Sequence, residues 1–148
     1  MRFVCLLLLF VAGCGAAPAA PVSSVGYPDE VRSLYSTMKW PADVRPDLEA
    51  LIKATAPPAG EQGFARQALA VVNTCAWYRS WDAAVTRGDS AAAGPALDAI
   101  TNLVTRYPPE DDRAGRQFVR DAAVRAAAGD PAPVRDYVDA NCFDTKWA

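Results

Sequence analysis

The stretch that decides the fold runs from residue 61 to residue 87 and reads EQGFARQALAVVNTCAWYRSWDAAVTR. Its apolar residues follow the 3.6-residue period of an α-helix and not the two-residue alternation of a strand. Gly88 suits the left-handed position that follows a helix end, and Asp89 or Ser90 is a good cap for the next helix. The spacing therefore predicts one long helix over residues 61–87.

The apolar face of this long helix changes sides near Cys75. With successive residues about 100° apart around the axis, the apolar residues of the first half and of the second half fall on nearly opposite sides. A helix of this kind is expected to pack against different neighbours along its length. The first set is Phe64, Ala65, Ala68, Leu69, Val72, Cys75 and Ala76, and the second is Trp77, Tyr78, Trp81, Ala84 and Val85.

Proline and glycine divide the rest of the chain into further amphipathic segments, none of which alternates with a period of two. The predicted fold class is all-α, a compact bundle of five to six short helices in which residues 27–148 form one domain. The other predicted helices run from Pro28 to about Met38, from Pro46 to Ala56, from residue 89 or 90 to Tyr107, from Glu110 to the Gly129-Asp130-Pro131 stop, and from there to about Asn141.

A weak internal echo suggests a helical-hairpin repeat. Residues 82–85 before Gly88-Asp89 match residues 121–124 before Gly129-Asp130, since both read Asp-Ala-Ala-Val. Each turn is followed by an Ala-rich segment, so the echo fits a duplication. It equally fits two unrelated Ala-rich helices that end in the same way.

Composition excludes several classes of function. The chain of 148 residues carries a formal net charge of −2 and has no histidine. The mild acidity argues against a nucleic-acid partner. The absence of histidine excludes Ser-His-Asp and Cys-His catalysis within this chain, and the cysteines lack zinc-finger spacing. The sequence therefore predicts neither metal nor cofactor.

The first residues have the pattern of an export signal. Arg2 precedes an apolar run over residues 3–12, which is too short for a bilayer span of roughly 20 residues. The run ends in Val11-Ala12-Gly13-Cys14, which resembles the lipobox of bacterial lipoprotein signal peptides. The resemblance implies that residues 1–13 are removed and that a lipid on the Cys14 thiol anchors the protein to a membrane of the cell envelope.

An alternative is an ordinary secreted protein that is cleaved after Ala17 or Ala20. Residues 14–26 are small, uncharged and rich in Ala, Pro and Ser, which is typical of a flexible or extended tether. In either case Cys5 leaves with the signal. Cys75 and Cys142 are then expected to form a disulfide in an oxidising compartment.

The most unusual side chains are Trp77, Tyr78 and Trp81, which form the candidate binding surface. One interpretation places these rings in the core under another helix. In the other, they line a groove for a protein partner or a small apolar ligand. The candidates to cover them are the first two helices and the C-terminal residues, through Tyr35, Met38, Trp40, Phe143 and Trp147.

Three functions follow as hypotheses. The first is a non-enzymatic interaction or ligand-binding module of the cell envelope. The second is an envelope hydrolase with two carboxyls about 5–10 Å apart across a cleft, and the third is a structural spacer. The acidic run Glu110-Asp111-Asp112 is interpreted as the start of a helix and not as a catalytic or metal site. The sequence thus predicts no catalytic residue.

Overall fold

A computed structural model describes residues 26–58, 64–108 and 112–142. Within these ranges the chain forms a compact all-α bundle of six helices with no strand, which confirms the predicted fold class. The predicted signal peptide, Cys14 and the tether up to residue 25 lie outside the described residues. The elements are α1 (Tyr27–Thr37), α2 (Leu48–Thr55), α3 (Ala65–Thr86), α4 (Ser90–Asn102), a 3₁₀ turn (Val104–Arg106), α5 (Arg113–Ala127) and α6 (Ala132–Asn141).

Aspartate side chains set the first residue of three helices. In each case the carboxylate accepts a hydrogen bond from a backbone N–H in the first turn, which is worth about 1 kcal/mol to a helix. The pairs are Asp47 with Ala50 at 2.7 Å, Asp89 with Ala92 at 3.0 Å, and Asp112 with Gly115 at 2.8 Å. Because the caps stand at 47 and 112, the helices begin at Leu48 and Arg113, and the predicted starts at Pro46 and Glu110 were two and three residues too early.

The fourth predicted helix was too long at its C-terminal end. α4 stops at Asn102, and a separate 3₁₀ turn follows instead of a continuous helix to Tyr107. The break rotates Val104 into the core, where it is fully buried. It also brings the Tyr107 hydroxyl to 2.7 Å from the Oδ1 atom of Asn73 on α3. Tertiary contacts therefore override the helical continuation, although Tyr107 itself keeps helical backbone angles, with φ of −75° and ψ of −38°.

Two turns repeat the same hydrogen-bond pattern. Gly88 and Gly129 have φ of 69° and 83°, a conformation that costs glycine little. The N–H of the following Asp reaches back five residues in both turns, as Asp89 to Ala84 and Asp130 to Arg125, each at 2.9 Å. Both are Schellman-type helix ends. The α3–α4 and α5–α6 hairpins thus share their turns, while a common origin stays a hypothesis.

α3 is the central helix, and its apolar face changes sides as predicted, but Phe64 and Val85 of the predicted sets are 73% and 38% exposed and belong to neither core. Its first half contributes Ala65, Leu69, Val72 and Cys75 to a cluster with residues of α1 and α2. Its second half contributes Tyr78 and Trp81 to a second cluster with residues of α4, α5, α6 and the 3₁₀ turn. One helix therefore joins two small cores that lie on opposite sides of it.

The predicted disulfide is present and joins α3 to the end of α6. The Cα atoms of Cys75 and Cys142 are 5.7 Å apart, within the range that a disulfide needs. The guanidinium of Arg79 also donates a hydrogen bond to the Cys142 carbonyl. At the other end of the interface between α3 and α6, the Nε atom of Arg135 lies 2.8 Å from the Oδ1 atom of Asp82. These contacts hold α6 antiparallel to α3.

Candidate functional site

The three aromatic residues that the sequence placed on one candidate binding surface are separated by the fold. Tyr78 is fully buried and Trp81 is 2% exposed, so both rings belong to the second cluster. Trp77 packs against that cluster but keeps part of its ring at the surface. Of the three, Trp77 is therefore the residue that can contact a ligand without unfolding.

The elements that cover the rings differ from the expected ones. Tyr78 and Trp81 pack in a cluster with residues of α4, α5, α6 and the 3₁₀ turn, whereas the sequence suggested the first two helices and the C-terminus. Tyr35 and Trp40 belong to the first cluster instead, where their ring centroids are 4.9 Å apart. Phe143 and Trp147 lie outside the described residues.

Trp77 lines an open groove of about 840 Å³, which we call the cationic groove. It lies between α1, the α1–α2 connection, α3, α4 and the 3₁₀ turn. Trp40 and Trp77 supply aromatic surface, and three cationic side chains and one carboxylate lie around them. The groove residues that matter below are Met38, Lys39, Trp40, Arg66, Trp77, Asp98, Leu103, Arg106 and Tyr107.

The α1–α2 connection is fastened to α3 by a polar stripe at positions 73, 77 and 80. Asn73 and Trp77 both donate to the Lys39 carbonyl, at 2.8 and 3.2 Å. Ser80 donates to the Asp43 carboxylate at 2.7 Å. These three donors share one face of α3, since they follow the i, i+4, i+7 spacing. The wall of the cationic groove that carries Lys39 is therefore held in place by α3.

The stripe extends to the opposite wall of the groove through Tyr107. Its hydroxyl donates to the Oδ1 atom of the fully buried Asn73, so the Asn73 amide joins the α1–α2 connection to the 3₁₀ turn. Burial raises the pKa of Tyr107 to about 12. The side chain thus remains a neutral hydrogen-bond donor at neutral pH, and the groove walls are joined by a hydrogen-bond network within the protein.

Two tyrosine variants give a matched test of this network. Tyr107→Phe leaves the Asn73 amide oxygen buried without its partner, so we expect a loss of about 1–3 kcal/mol in the free energy of unfolding. Tyr78→Phe removes a buried hydroxyl that has no hydrogen-bond partner among the described residues, so it should be neutral or stabilising. Urea denaturation of both variants measures the difference. Equal losses would contradict the network.

A second groove, of about 950 Å³, lies between α3, α5, α6 and the chain before α5. Its apolar wall includes Val71 and Phe118, which are 42% and 39% exposed. The Phe118 ring stacks on Tyr137 with centroids 5.8 Å apart. Its charged lining residues are Asp112 and Asp136, with no Lys or Arg among the described residues that line it. We call it the acidic groove.

The acidic groove is where the hydrolase hypothesis would have to place its two acids. A general acid of this kind owes its proton to an apolar, water-poor surrounding, whereas both Asp112 and Asp136 are exposed. Asp112 also caps α5. This is the role that the sequence predicted for the acidic run over residues 110–112, which Asp112 ends. Glu110 and Asp111 lie outside the described residues. The geometry at these carboxylates is that of solvated side chains.

Sequence reasoning found Trp77 but missed the three cations around it. Lys39, Arg66 and Arg106 come from the α1–α2 connection, α3 and the 3₁₀ turn, and no local pattern links them. In the sequence, Arg66 follows the first predicted apolar residues of α3, a pattern that is typical of an ordinary solvated side chain. The one unusual signal in this part of the sequence was the aromatic run that includes Trp77, and it did not point to these cations.

No family model matches this chain, and no curated protein or solved structure matches it either. In the described ranges, no three His, Cys, Asp or Glu side chains form a group that could hold a metal ion. None of the described helices combines the length and the apolar character of a membrane span.

Proposed function

We propose that the protein is an exported, lipid-anchored module of the cell envelope that binds a small apolar ligand in the cationic groove. The observation that carries the proposal is Trp77, an aromatic side chain left partly exposed beside Trp40 in a groove built from several elements. Trp is the residue type most enriched among binding anchors. That the protein is not an enzyme stays a prediction from the sequence.

The groove has the properties of a preformed ligand site. Its volume of about 840 Å³ is within the usual range of roughly 300–1,000 Å³ for small-molecule sites. Both indole N–H groups are already hydrogen-bonded, Trp40 to the Tyr35 carbonyl and Trp77 to the Lys39 carbonyl, each at 3.2 Å. Neither indole donor is therefore left without a partner, and the exposed part of each ring can contact apolar groups.

Ligand binding can be read from the indole signals of the protein itself. We expect an amphiphile with a ten-carbon chain, titrated below its critical micelle concentration, to shift the ¹H–¹⁵N indole resonances of Trp40 and Trp77 in a saturable way. The indole of Trp81 lies in the core and is an internal control. Trp77→Ala should abolish the effect, and Phe118→Ala in the acidic groove should leave it intact. Shifts that depend on Phe118 and not on Trp77 would contradict the proposed site.

The anchor is a separate part of the proposal and has a separate test. When the full chain is expressed in a bacterium, the protein should partition into the detergent phase because two or more acyl chains hold a protein firmly on a bilayer. Cys14→Ala should move it to the aqueous phase. Cys5→Ala should change neither the N-terminus of the mature protein nor its lipid modification. Mass spectrometry of the mature N-terminus identifies the modified residue. An unmodified start at Pro18 or Pro21 would contradict lipid anchoring and support secretion.

A further inference from the structure

We infer that the ligand of the cationic groove is an anionic amphiphile, a molecule with an apolar body and one carboxylate, sulfonate or phosphate group. This inference rests on the proposed binding function and adds the chemical class of the ligand. Lys39, Arg66 and Arg106 line the groove together with one carboxylate, that of Asp98. Three positive charges and one negative charge give the described lining residues a charge of +2, although the whole chain carries −2.

The three cations of the groove, Lys39, Arg66 and Arg106, have no ion-pair partner among the described residues. The Asp98 carboxylate accepts its hydrogen bond from the Asn102 amide at 2.8 Å instead. Arginines elsewhere in the bundle do find carboxylates, as Arg32 does with Glu49 at 3.1 Å.

The three cations also converge from separate parts of the fold. They lie on the α1–α2 connection, on α3 and on the 3₁₀ turn, so they do not form the solvated charged stripe of a single helix. Their mutual repulsion is small because all three side chains are exposed to solvent, and a counter-charge bound in the groove would relieve it. A concave, partly apolar wall also focuses the field of such charges and raises the local concentration of anions. The arrangement therefore favours an anionic head group in the groove that Trp40 and Trp77 line.

The acidic groove supplies a built-in comparison within the same molecule. It is larger and more open to apolar ligands through Phe118 and Val71, yet its charged lining residues are Asp112 and Asp136. A ligand that is recognised by apolar contacts alone would be expected in both grooves. An anionic amphiphile is attracted to one groove and repelled from the other.

The test compares decanoate, decanol and decyltrimethylammonium, which share a ten-carbon chain and differ in charge. Binding is followed through the indole resonances of Trp40 and Trp77, at low and high NaCl. The double variant Arg66→Gln/Arg106→Gln removes two exposed cations and retains Lys39, whose carbonyl holds Trp77. The matched control is Arg87→Gln/Arg120→Gln, since both residues are exposed and line neither groove.

We expect decanoate to bind most tightly and to bind more weakly as NaCl is added. Arg66→Gln/Arg106→Gln should weaken decanoate binding about tenfold, because exposed ion pairs contribute up to about 1 kcal/mol each. The control variant should change it less than about twofold. Circular dichroism and thermal unfolding establish that both variants are folded.

Equal affinity for decanoate and decanol, with no effect of the double variant, would overturn the anionic ligand and leave the proposed binding function standing. Failure of all three amphiphiles to shift the two indoles would overturn both. Vesicles of phosphatidylcholine with phosphatidylglycerol form a further arm. Binding to these vesicles without binding of soluble decanoate would overturn the inference in favour of a surface that contacts bilayers.

Discussion

Trp81→Ala should lower the free energy of unfolding by about 3–5 kcal/mol, the usual cost of truncating a buried Trp or Phe. Trp81 is 2% exposed and packs in the cluster that joins the second half of α3 to α4, α5 and α6. The substitution leaves a cavity at the point where these helices meet. Since domains of this size are stable by only about 5–15 kcal/mol, the loss should be evident in urea denaturation at 25 °C.

Trp77→Ala is the matched control, because the same residue type lies four positions earlier on the same helix. Its ring is partly exposed and its N–H bonds to a backbone carbonyl, so its loss should be smaller than that of Trp81→Ala. An isolated loss of binding would fit a surface role for Trp77. If Trp81→Ala kept the stability of the parent while Trp77→Ala unfolded the domain, the assignment of core and groove would be reversed.

Removal of the disulfide should have the second largest effect. The bond between Cys75 and Cys142 closes a loop with a sequence separation of 67, which in the chain-entropy model is worth about 4 kcal/mol. The double variant Cys75→Ala/Cys142→Ala should therefore lose about 2–4 kcal/mol. Both residues are buried, and alanine avoids leaving a new polar group in their place.

The loss should be local as well as global. Without the bond, the end of α6 keeps only weaker contacts to α3, such as the hydrogen bond from Arg79 to the Cys142 carbonyl. Amide hydrogen exchange should therefore accelerate first in the last turn of α6, while the part near Val134 stays protected by the second cluster. Reduction of the parent protein should reproduce the pattern. Unchanged stability and exchange in both cases would contradict a structural role for the disulfide.

The helices themselves were predictable because their signals are local. The change of the apolar face along α3 followed from the angular positions of its apolar residues, and Gly88 and Gly129 marked two helix ends. The errors lay at boundaries where a cap or a long-range contact decides. Asp47 set the start of α2, and the bond between Tyr107 and Asn73 accompanies the end of α4.

The candidate site was predictable only in part. The sequence singled out Trp77, Tyr78 and Trp81 because three large aromatic residues within five positions are unusual. Whether a ring is core or surface depends on which helices cover it, and for Tyr78 and Trp81 these are helices that follow α3 in the chain. Tyr78 and Trp81 are covered by helices that the sequence did not pair with them.

The sequence by itself determined the helical class, the pairing of Cys75 with Cys142 and the two-sided character of α3. Each depends on the period of one helix or on the two cysteines that lie beyond the predicted signal peptide and Cys14, so no tertiary arrangement is needed to derive it. The tertiary structure alone decided that Lys39, Arg66 and Arg106 meet around Trp77. Their convergence depends on how the α1–α2 connection and the 3₁₀ turn are fastened to Asn73 and Trp77 of α3. Hydrogen bonds between residues 34 to 38 positions apart leave no periodic trace in a sequence.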